Sequence, residues 1–260
     1  MKSKKASRSE KEFQQYEKGL NRKLWKYFKF AGLDEKRFRQ KYVKNLLGKK
    51  KIKELKILEL GGSKWVEIVH DLFEDKPNEL ICINISPSEI NLAKKEAKSI
   101  PTRYKPTWIE MDAHYLEFQD NYFDLVIGYG MLHHLDLEIA LNEIKRVLKS
   151  DGIALFREPL DINPLLTFAR FLTPKARTTE EIPFKKNHLK KIFEIFPNSR
   201  MFFEQFLTFF LSPIFNFLPK IFIKKVSLTA YKIDKLILKT FPSFGYFFRS
   251  VFIVIKKNST

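Results

Sequence analysis

The residues able to do chemistry fall at a few well-separated places in the chain. The segment Lys56-Ile-Leu-Glu-Leu-Gly-Gly-Ser63 is a short apolar run that ends in an acid and two glycines. Glycines placed there let the backbone approach a ligand closely and turn its amides toward an anion. They also fit a plain turn. His133 and His134 are adjacent, and an imidazole titrates in the range a general base needs. In the bland alternative one opens a helix and the other packs. Glu158 closes a later apolar run beside Arg157, where it can orient a substrate or pair with that arginine. His70, His114 and His188 are scattered, so no metal site is expected. Cys82 is the sole cysteine, which excludes an intramolecular disulfide and a multi-cysteine metal centre and points to a reducing compartment. Neither a phosphate-binding P-loop nor a hydroxyl-nucleophile motif is visible.

The elements that must position these residues alternate. Leu55–Leu60 reads as a strand, Trp65–Phe73 as a helix and Leu80–Ile85 as a second strand. Ser86-Pro-Ser-Glu89 is a helix start: a capping serine, proline at the first helical position, and glutamate three residues after the cap. That helix is expected to end near Lys98. Thr107–Met111 and Phe123–Tyr129 read as strands three and four. Leu137, Leu141, Ile144 and Leu148 mark a helix stripe, and Asp151-Gly152 a turn into strand five, Ile153–Glu158. Nearly continuous apolar strands between helices predict a parallel sheet covered on both faces. His188–Phe196 reads as a helix, and Met201–Phe210 and Ser250–Lys256 as late strands. Ahead of the alternation, residues 9–47 read as helix broken at Gly32 and restarted at Asp34, and the lysine cluster 49–53 as a connector.

Of 260 residues, 48 are Lys or Arg and 30 Asp or Glu, a net charge of +18 that is unevenly placed. Residues 1–56 carry 20 basic against 6 acidic side chains, residues 57–197 carry 18 against 22, and residues 198–260 carry 10 against 2. A mildly acidic middle is thus flanked by two basic extensions. Lysine bias explains this as well as attraction to an anionic membrane or nucleic acid does. The lysines at the start have no apolar run behind them, so no secretory leader is expected.

Half of the phenylalanines, 13 of 26, fall at or after Phe202. Charges and prolines interrupt every long apolar run there, so no membrane-spanning helix is expected. Wound as a helix, 220–239 places Phe222, Val226, Ala230, Ile233 and Ile237 on one face. Lys224, Lys225, Lys232, Lys235 and Lys239 fall on the other. That pattern suits a basic interfacial helix and equally a surface helix packed on its own domain.

In order and spacing, residues 56–158 resemble the class I S-adenosylmethionine-dependent methyltransferases. Four segments carry the resemblance: Ile57-Leu-Glu-Leu-Gly-Gly-Ser63, Ile83-Asn-Ile-Ser-Pro87, Met111-Asp-Ala113, and Phe123–Leu135 with its following helix and Leu148-Lys-Ser-Asp-Gly152. The resemblance implies S-adenosylmethionine as cofactor, held by Glu59, Gly61, Gly62, Ser63, Asn84, Ile85, Asp112, Ala113 and Tyr129. It implies that Asn84 stands where an acid commonly holds the ribose hydroxyls and that Asp112 meets the adenine amino group. The repeated glycines of the family are replaced by Ser63 and Trp65. Arg157–Pro164 and Leu172–Phe184 are similar to a bacterial subgroup of these enzymes, which commonly has histidine where Ile182 stands. A nicotinamide-binding Rossmann domain is disfavoured, because Gly61 is not followed by glycines at 63 and 66.

The expected architecture is α/β and Rossmann-like, a doubly wound, mostly parallel seven-stranded sheet. A basic helical extension (1–53) precedes a cofactor-binding core (54–201). Late strands with an apolar insertion, about 206–245, complete the chain. His133 and Glu158 are the catalytic candidates, and His134 and Arg157 the substrate-binding ones. The leading expectation is methyl transfer to a small, lipophilic or membrane-presented acceptor by a cytoplasmic protein peripheral to the inner membrane face. RNA or protein methylation through the basic arm is a second reading. A non-catalytic binding protein of the same fold, motivated by Ser63, Trp65 and Asn84, is a third.

Overall fold

The computed structural model describes residues 11, 13, 14, 32–47, 52–62, 77–98, 106–171 and 181–257. The expected helix before Gly32, the lysine connector up to Lys51, Ser63, the helix Trp65–Phe73 and most of Leu172–Phe184 lie outside those residues.

A seven-stranded sheet organises the described chain, in the order β3-β2-β1-β4-β5-β7-β6. The strands are β1 (Lys56–Leu60), β2 (Glu79–Asn84), β3 (Thr107–Glu110), β4 (Phe123–Tyr129), β5 (Leu148–Pro159), β6 (Arg200–Glu204) and β7 (Ser250–Lys256). β1 to β5 run parallel, and β7 lies antiparallel between β5 and β6. β1 pairs with β2 on one side and β4 on the other, so the chain reverses its winding direction between β1 and β4. The crevice outside the carboxyl ends of the strands at such a switch point is where open α/β sheets bind ligands.

The helices are α1 (Leu33–Leu47), α2 (Pro87–Lys98), α3 (Leu137–Val147), α4 (Pro164–Phe171), α5 (Lys186–Ile195), α6 (Leu207–Phe215) and α7 (Lys220–Thr240). Strand residues alternate between the two sheet faces. Leu58, Leu60, Val126, Ala154 and Phe156 therefore meet α3 and α5 through Leu141, Ile144, Leu189 and Ile192. Ile57, Cys82, Leu125, Ile127 and Leu155 face the other way, against Val43 and Leu47 of α1. Caps set the helix starts. Ser86 Oγ accepts from the Glu89 amide at 3.2 Å, and Asp136 accepts from the Ile139 amide at 3.3 Å. Asn163 Oδ1 accepts from the Leu165 amide at 3.0 Å, just ahead of Pro164, and so starts α4, a helix the sequence reading left out.

Three expectations are corrected. Asp151-Gly152 is no turn before β5 but a bulge inside it: Leu148 already pairs with Phe123, the register then shifts, and Asp151 sits at φ 60°. The late strand expected over Met201–Phe210 ends at Glu204. Gln205 adopts φ 67°, and Asp234 of α7 accepts from the amides of Phe206 and Leu207 at 3.1 and 3.0 Å. That carboxylate caps α6, so the apolar run turns helical. The inward stripe of α7 is Ile223, Ser227, Ala230 and Asp234, rotated from the expected apolar face. Phe222 and Ile233 are left exposed, while Lys235, placed on the polar face, lies 4.9 Å from the Phe38 ring centroid and is partly buried. Asp234 and Ser227 take the inner positions because both are bonded there, Ser227 Oγ donating to Asp34 at 2.8 Å.

One irregular segment matters for the site. Residues 181–184 run beside the end of β5 as a strap. The Ile182 amide donates to the His133 carbonyl at 3.0 Å, and the Phe184 amide to the Pro159 carbonyl at 2.8 Å. Phe184 anchors the strap in the core with 1% of its surface exposed. Phe184→Ala is expected to lower unfolding free energy by about 3 kcal/mol or more, measured by urea titration. Phe193→Ala, at a 40% exposed position of α5, is expected to change it by less than about 0.5 kcal/mol.

Candidate active site

The carboxyl edge of β1, β2 and β4 is built around glycines. Gly61 and Gly62 sit at φ 99° and 56°, and Gly130 after β4 at φ 64°. A Cβ on Gly61 would stand 3.3 Å from Met131 Sδ, and one on Gly62 3.2 Å from the Ile83 carbonyl. Only glycine takes both the left-handed backbone and the tight spacing, so the turn presents bare backbone to the crevice.

Asn84 explains itself in this setting. Its Nδ2 donates to the Gly61 carbonyl, and its Oδ1 accepts from the Ser86 amide at 2.8 Å. The amide side chain clamps the glycine turn to the loop before α2. An aspartate could not donate to the Gly61 carbonyl, which gives a structural reason for asparagine at this place. The ribose contact implied by the family resemblance would compete with both bonds. Ile85 lies in the same loop. Glu59 lies on the α1 face of the sheet, 1% exposed, next to Cys82, whose thiol it and burial push well upward.

After β3, Asp112 Oδ1 accepts from the His114 amide at 2.9 Å and meets His114 Nδ1 at 2.6 Å. His114 Nε2 accepts from the Asp136 amide at 2.8 Å. The proton therefore sits on Nδ1, and the imidazole links the β3 loop to the β4–α3 loop. Asp112 is thereby fixed at the rim, while Ala113 is buried in the core below it. Two left-handed glycines without side chains and a fixed acid past β3 are compatible with an adenosyl cofactor across the switch point.

The loop after β4 converges on Glu158, which is fully buried at the end of β5. Its Oε1 accepts from the amides of Met131 and Leu132 at 3.1 and 3.0 Å, and its Oε2 meets His133 Nδ1 at 2.7 Å. Burial pushes this carboxyl up to about 7, against the pull of the backbone donors and the neighbouring His134. Glu158 was expected to be catalytic or to pair with Arg157, and the pairing does not form, because Arg157 points to the opposite sheet face and bonds Glu204. Among the described residues Glu158 bonds the loop amides and His133, which makes it a positioning residue for that ring. The second ring nitrogen, His133 Nε2, lies 3.7 Å from Glu181 Oε1 on the strap. The His133 and His134 ring centroids are 4.1 Å apart.

Arg157 and Tyr129 fall on the opposite sheet face. Arg157 donates to Glu204, Gln205 and Ser250 at 3.0, 2.7 and 2.9 Å. Its guanidinium is engaged in holding β6, not a substrate. Tyr129 lies under Arg39 of α1, and burial pushes its hydroxyl upward. Of the expected site residues, the fold brings Gly61, Gly62, Asn84, Asp112, His133, His134 and Glu158 to one edge. It adds Glu181, which sequence spacing did not single out because it lies far along the chain from both histidines. Its one sequence signal was its place beside Ile182 in the segment similar to the bacterial subgroup.

Replacing Asn84 by aspartate removes the donor to Gly61 and sets a carboxylate against a carbonyl. Asn84→Asp is expected to lower stability by about 1–3 kcal/mol, read by thermal and urea melts, and not to tighten binding of S-adenosylhomocysteine in calorimetry.

Comparison with known proteins agrees with this geometry. Residues 60–156 match the methyltransferase domain family. A demethylmenaquinone methyltransferase of Bacteroides fragilis is 32% identical over 80 residues, 30% of this chain and 33% of that protein. The Staphylococcus carnosus enzyme of the same name is 31% identical over 122 residues, 46% of this chain and 48% of that protein. The chain thus spans a third to a half of the length of these relatives. In fold it is similar to the N-methyltransferase NodS of Bradyrhizobium japonicum in complex with S-adenosylhomocysteine. The TM-score is 0.50 at 13% identity, over 86% of this chain and 87% of that one. The matched domain, the strand order and the glycine turn at the switch point agree: residues 60–156 are similar to the methyltransferase domain family, within a class I methyltransferase fold.

Proposed function

We propose that the protein transfers a methyl group from S-adenosylmethionine to a lipophilic acceptor presented at an anionic membrane surface. The reaction rests on the matched domain and its glycine turn. When bound, the cofactor supplies an electrophilic methyl on a sulfonium. The residues of this chain have to align the acceptor with it and exclude water. Gly61 and Gly62 offer backbone to the cofactor, and Asp112 a fixed acceptor past β3. His133 turns Nε2 to the acceptor side, in the orientation Glu158 imposes through Nδ1. His134 and Glu181 line the same rim.

One observation carries the acceptor class. The outer face of α7 interleaves large apolar side chains with lysines. Ile221 is 78% and Leu236 62% exposed, with Lys225, Lys232 and Lys239 exposed among them. Phe217, in the turn before α7, is 83% exposed. Apolar side chains that insert at the acyl boundary and lysines that meet anionic headgroups make a membrane-surface helix. No helix among the described residues is long and apolar enough to cross a membrane. The relatives named for demethylmenaquinone support an apolar acceptor class.

Calorimetric titration with S-adenosylhomocysteine is expected to show one saturable site, weakened about tenfold or more by Gly61→Ala through backbone strain. Absence of binding to the folded wild-type chain would remove the enzymatic reading. In flotation assays the protein is expected to rise with phosphatidylglycerol-containing vesicles and not with phosphatidylcholine alone. Lys225→Glu/Lys232→Glu should abolish co-flotation, and Ile221→Ser/Leu236→Ser should reduce it. Equal recovery with neutral vesicles, or none with anionic ones, would refute the membrane surface.

A further inference from the structure

We infer that His133, His134 and Glu181 form a binding site for one divalent transition-metal ion on the acceptor side of the cleft. One ligand atom from each residue lies within 4.8 Å of the others. Two imidazoles and a carboxylate are a donor set that suits Zn²⁺ or Fe²⁺ and leaves coordination positions open.

The surroundings of His133 favour a ligand over a packed side chain. Glu158 takes Nδ1 at 2.7 Å and is itself fixed by the loop amides. A buried carboxylate on the far nitrogen is the arrangement that orients metal-bound histidine and raises its basicity. A neutral imidazole with its proton on Nδ1 carries its lone pair on Nε2, and Nε2 points at Glu181 Oε1. The separation of that pair is 3.7 Å. It is close to the spacing of about 3.4 Å between two ligands of one tetrahedral ion at ordinary Zn–N and Zn–O lengths. Two carboxylates, Glu158 and Glu181, face this one imidazole from opposite sides, with 0% and 14% of their side chains exposed. A dication there would favour the charged form of both carboxyls where little water reaches.

Backbone pairing holds the geometry. The Ile182 amide bonds the His133 carbonyl, so ligands from the β4 loop and the strap are tied together before any ion binds. The open positions would face the acceptor, whose oxygen or nitrogen donor could complete the coordination. That role rests on the methyltransferase reading, but the metal site itself does not.

The full-length chain, stripped with chelator and shown to keep its native melt, is titrated with Zn²⁺ by calorimetry and with Co²⁺ by visible absorption. One equivalent of each is expected to bind, Co²⁺ with the ligand-field bands of a low-symmetry site containing nitrogen ligands. His134→Gln and Glu181→Gln should each weaken binding at least tenfold, and Glu158→Gln by about 10–100-fold through its hold on His133. Glu181→Gln sits on a half-buried strap position and keeps its shape, so it separates loss of a ligand from loss of folding. No stoichiometric binding by the folded chain would overturn the inference, as would binding unchanged in both His134→Gln and Glu181→Gln. Binding of S-adenosylhomocysteine is measured on the same samples. Metal binding without it would leave this site and remove the methyltransferase reading, and the converse result would do the opposite.

Discussion

The histidine side of the cleft depends on one buried carboxylate. Glu158 ends β5 on the sheet face covered by α3 and α5, where an ion without partners would cost several kcal/mol. Two close amide donors from the β4 loop and the His133 ring meet it. The carboxylate therefore decides the path of that loop, and the loop decides the rest. It orients His133, brings Met131 over Gly61, and presents the His133 carbonyl that holds the strap carrying Glu181. Burial is what pushes this carboxyl up to about 7, against the pull of those same donors.

The next residue back, Arg157, does for the opposite face what Glu158 does for this one. Strand alternation sends it toward α1, where it meets Glu204 together with Arg39 at 2.6 Å. Arg249 joins through Gln205, and burial beside Arg157 and Arg170 pushes its guanidinium down to about 9. Glu204 Oε1 and Glu35 Oε2 are buried with no hydrogen-bond partner among the described residues. Burial pushes the Glu35 carboxyl upward. The C-terminal lobe is thus docked by a charged network with little slack, since removing one member strands the others in a dry place. Ser227 and Asp234 belong to the same docking layer. Their inward placement is what leaves Ile221, Leu236 and Phe222 on the outside of α7.

Much of this was legible in the chain because it is local. The strands β1 to β5 announce themselves as apolar runs, the start of α2 through side chains one turn away, and α3 through its apolar stripe. The glycine turn was readable for the same reason: left-handed backbone needs glycine wherever it occurs. What was not legible depends on partners far off in sequence. Helix α6 looked like strand because the carboxylate that caps it, Asp234, lies on another helix. The face of α7 was misjudged because hydropathy assigns serine and aspartate outward, while here Asp34 and the α6 amides draw them in. Asn84 looked like a weakened ribose ligand. Its donor role toward Gly61 could be seen only once β1 and β2 were paired.

The two halves of the cleft are built on different principles, and this separates what can vary. The glycine side is made of backbone, set by Gly61, Gly62 and Asn84, and tolerates little change. The histidine side is made of side chains delivered by a loop and a strap, each pinned by its backbone. Along the strap the neighbours differ: Glu181 is largely covered at the cleft, whereas Ile182 is 48% exposed. A side chain at 182 can therefore be exchanged without altering the His133–Glu181 pair, while a change at 181 acts on the cleft directly. The fold fixes the glycine turn, and under the proposed function the residues on the strap and the β4 loop would determine what is offered to the methyl donor.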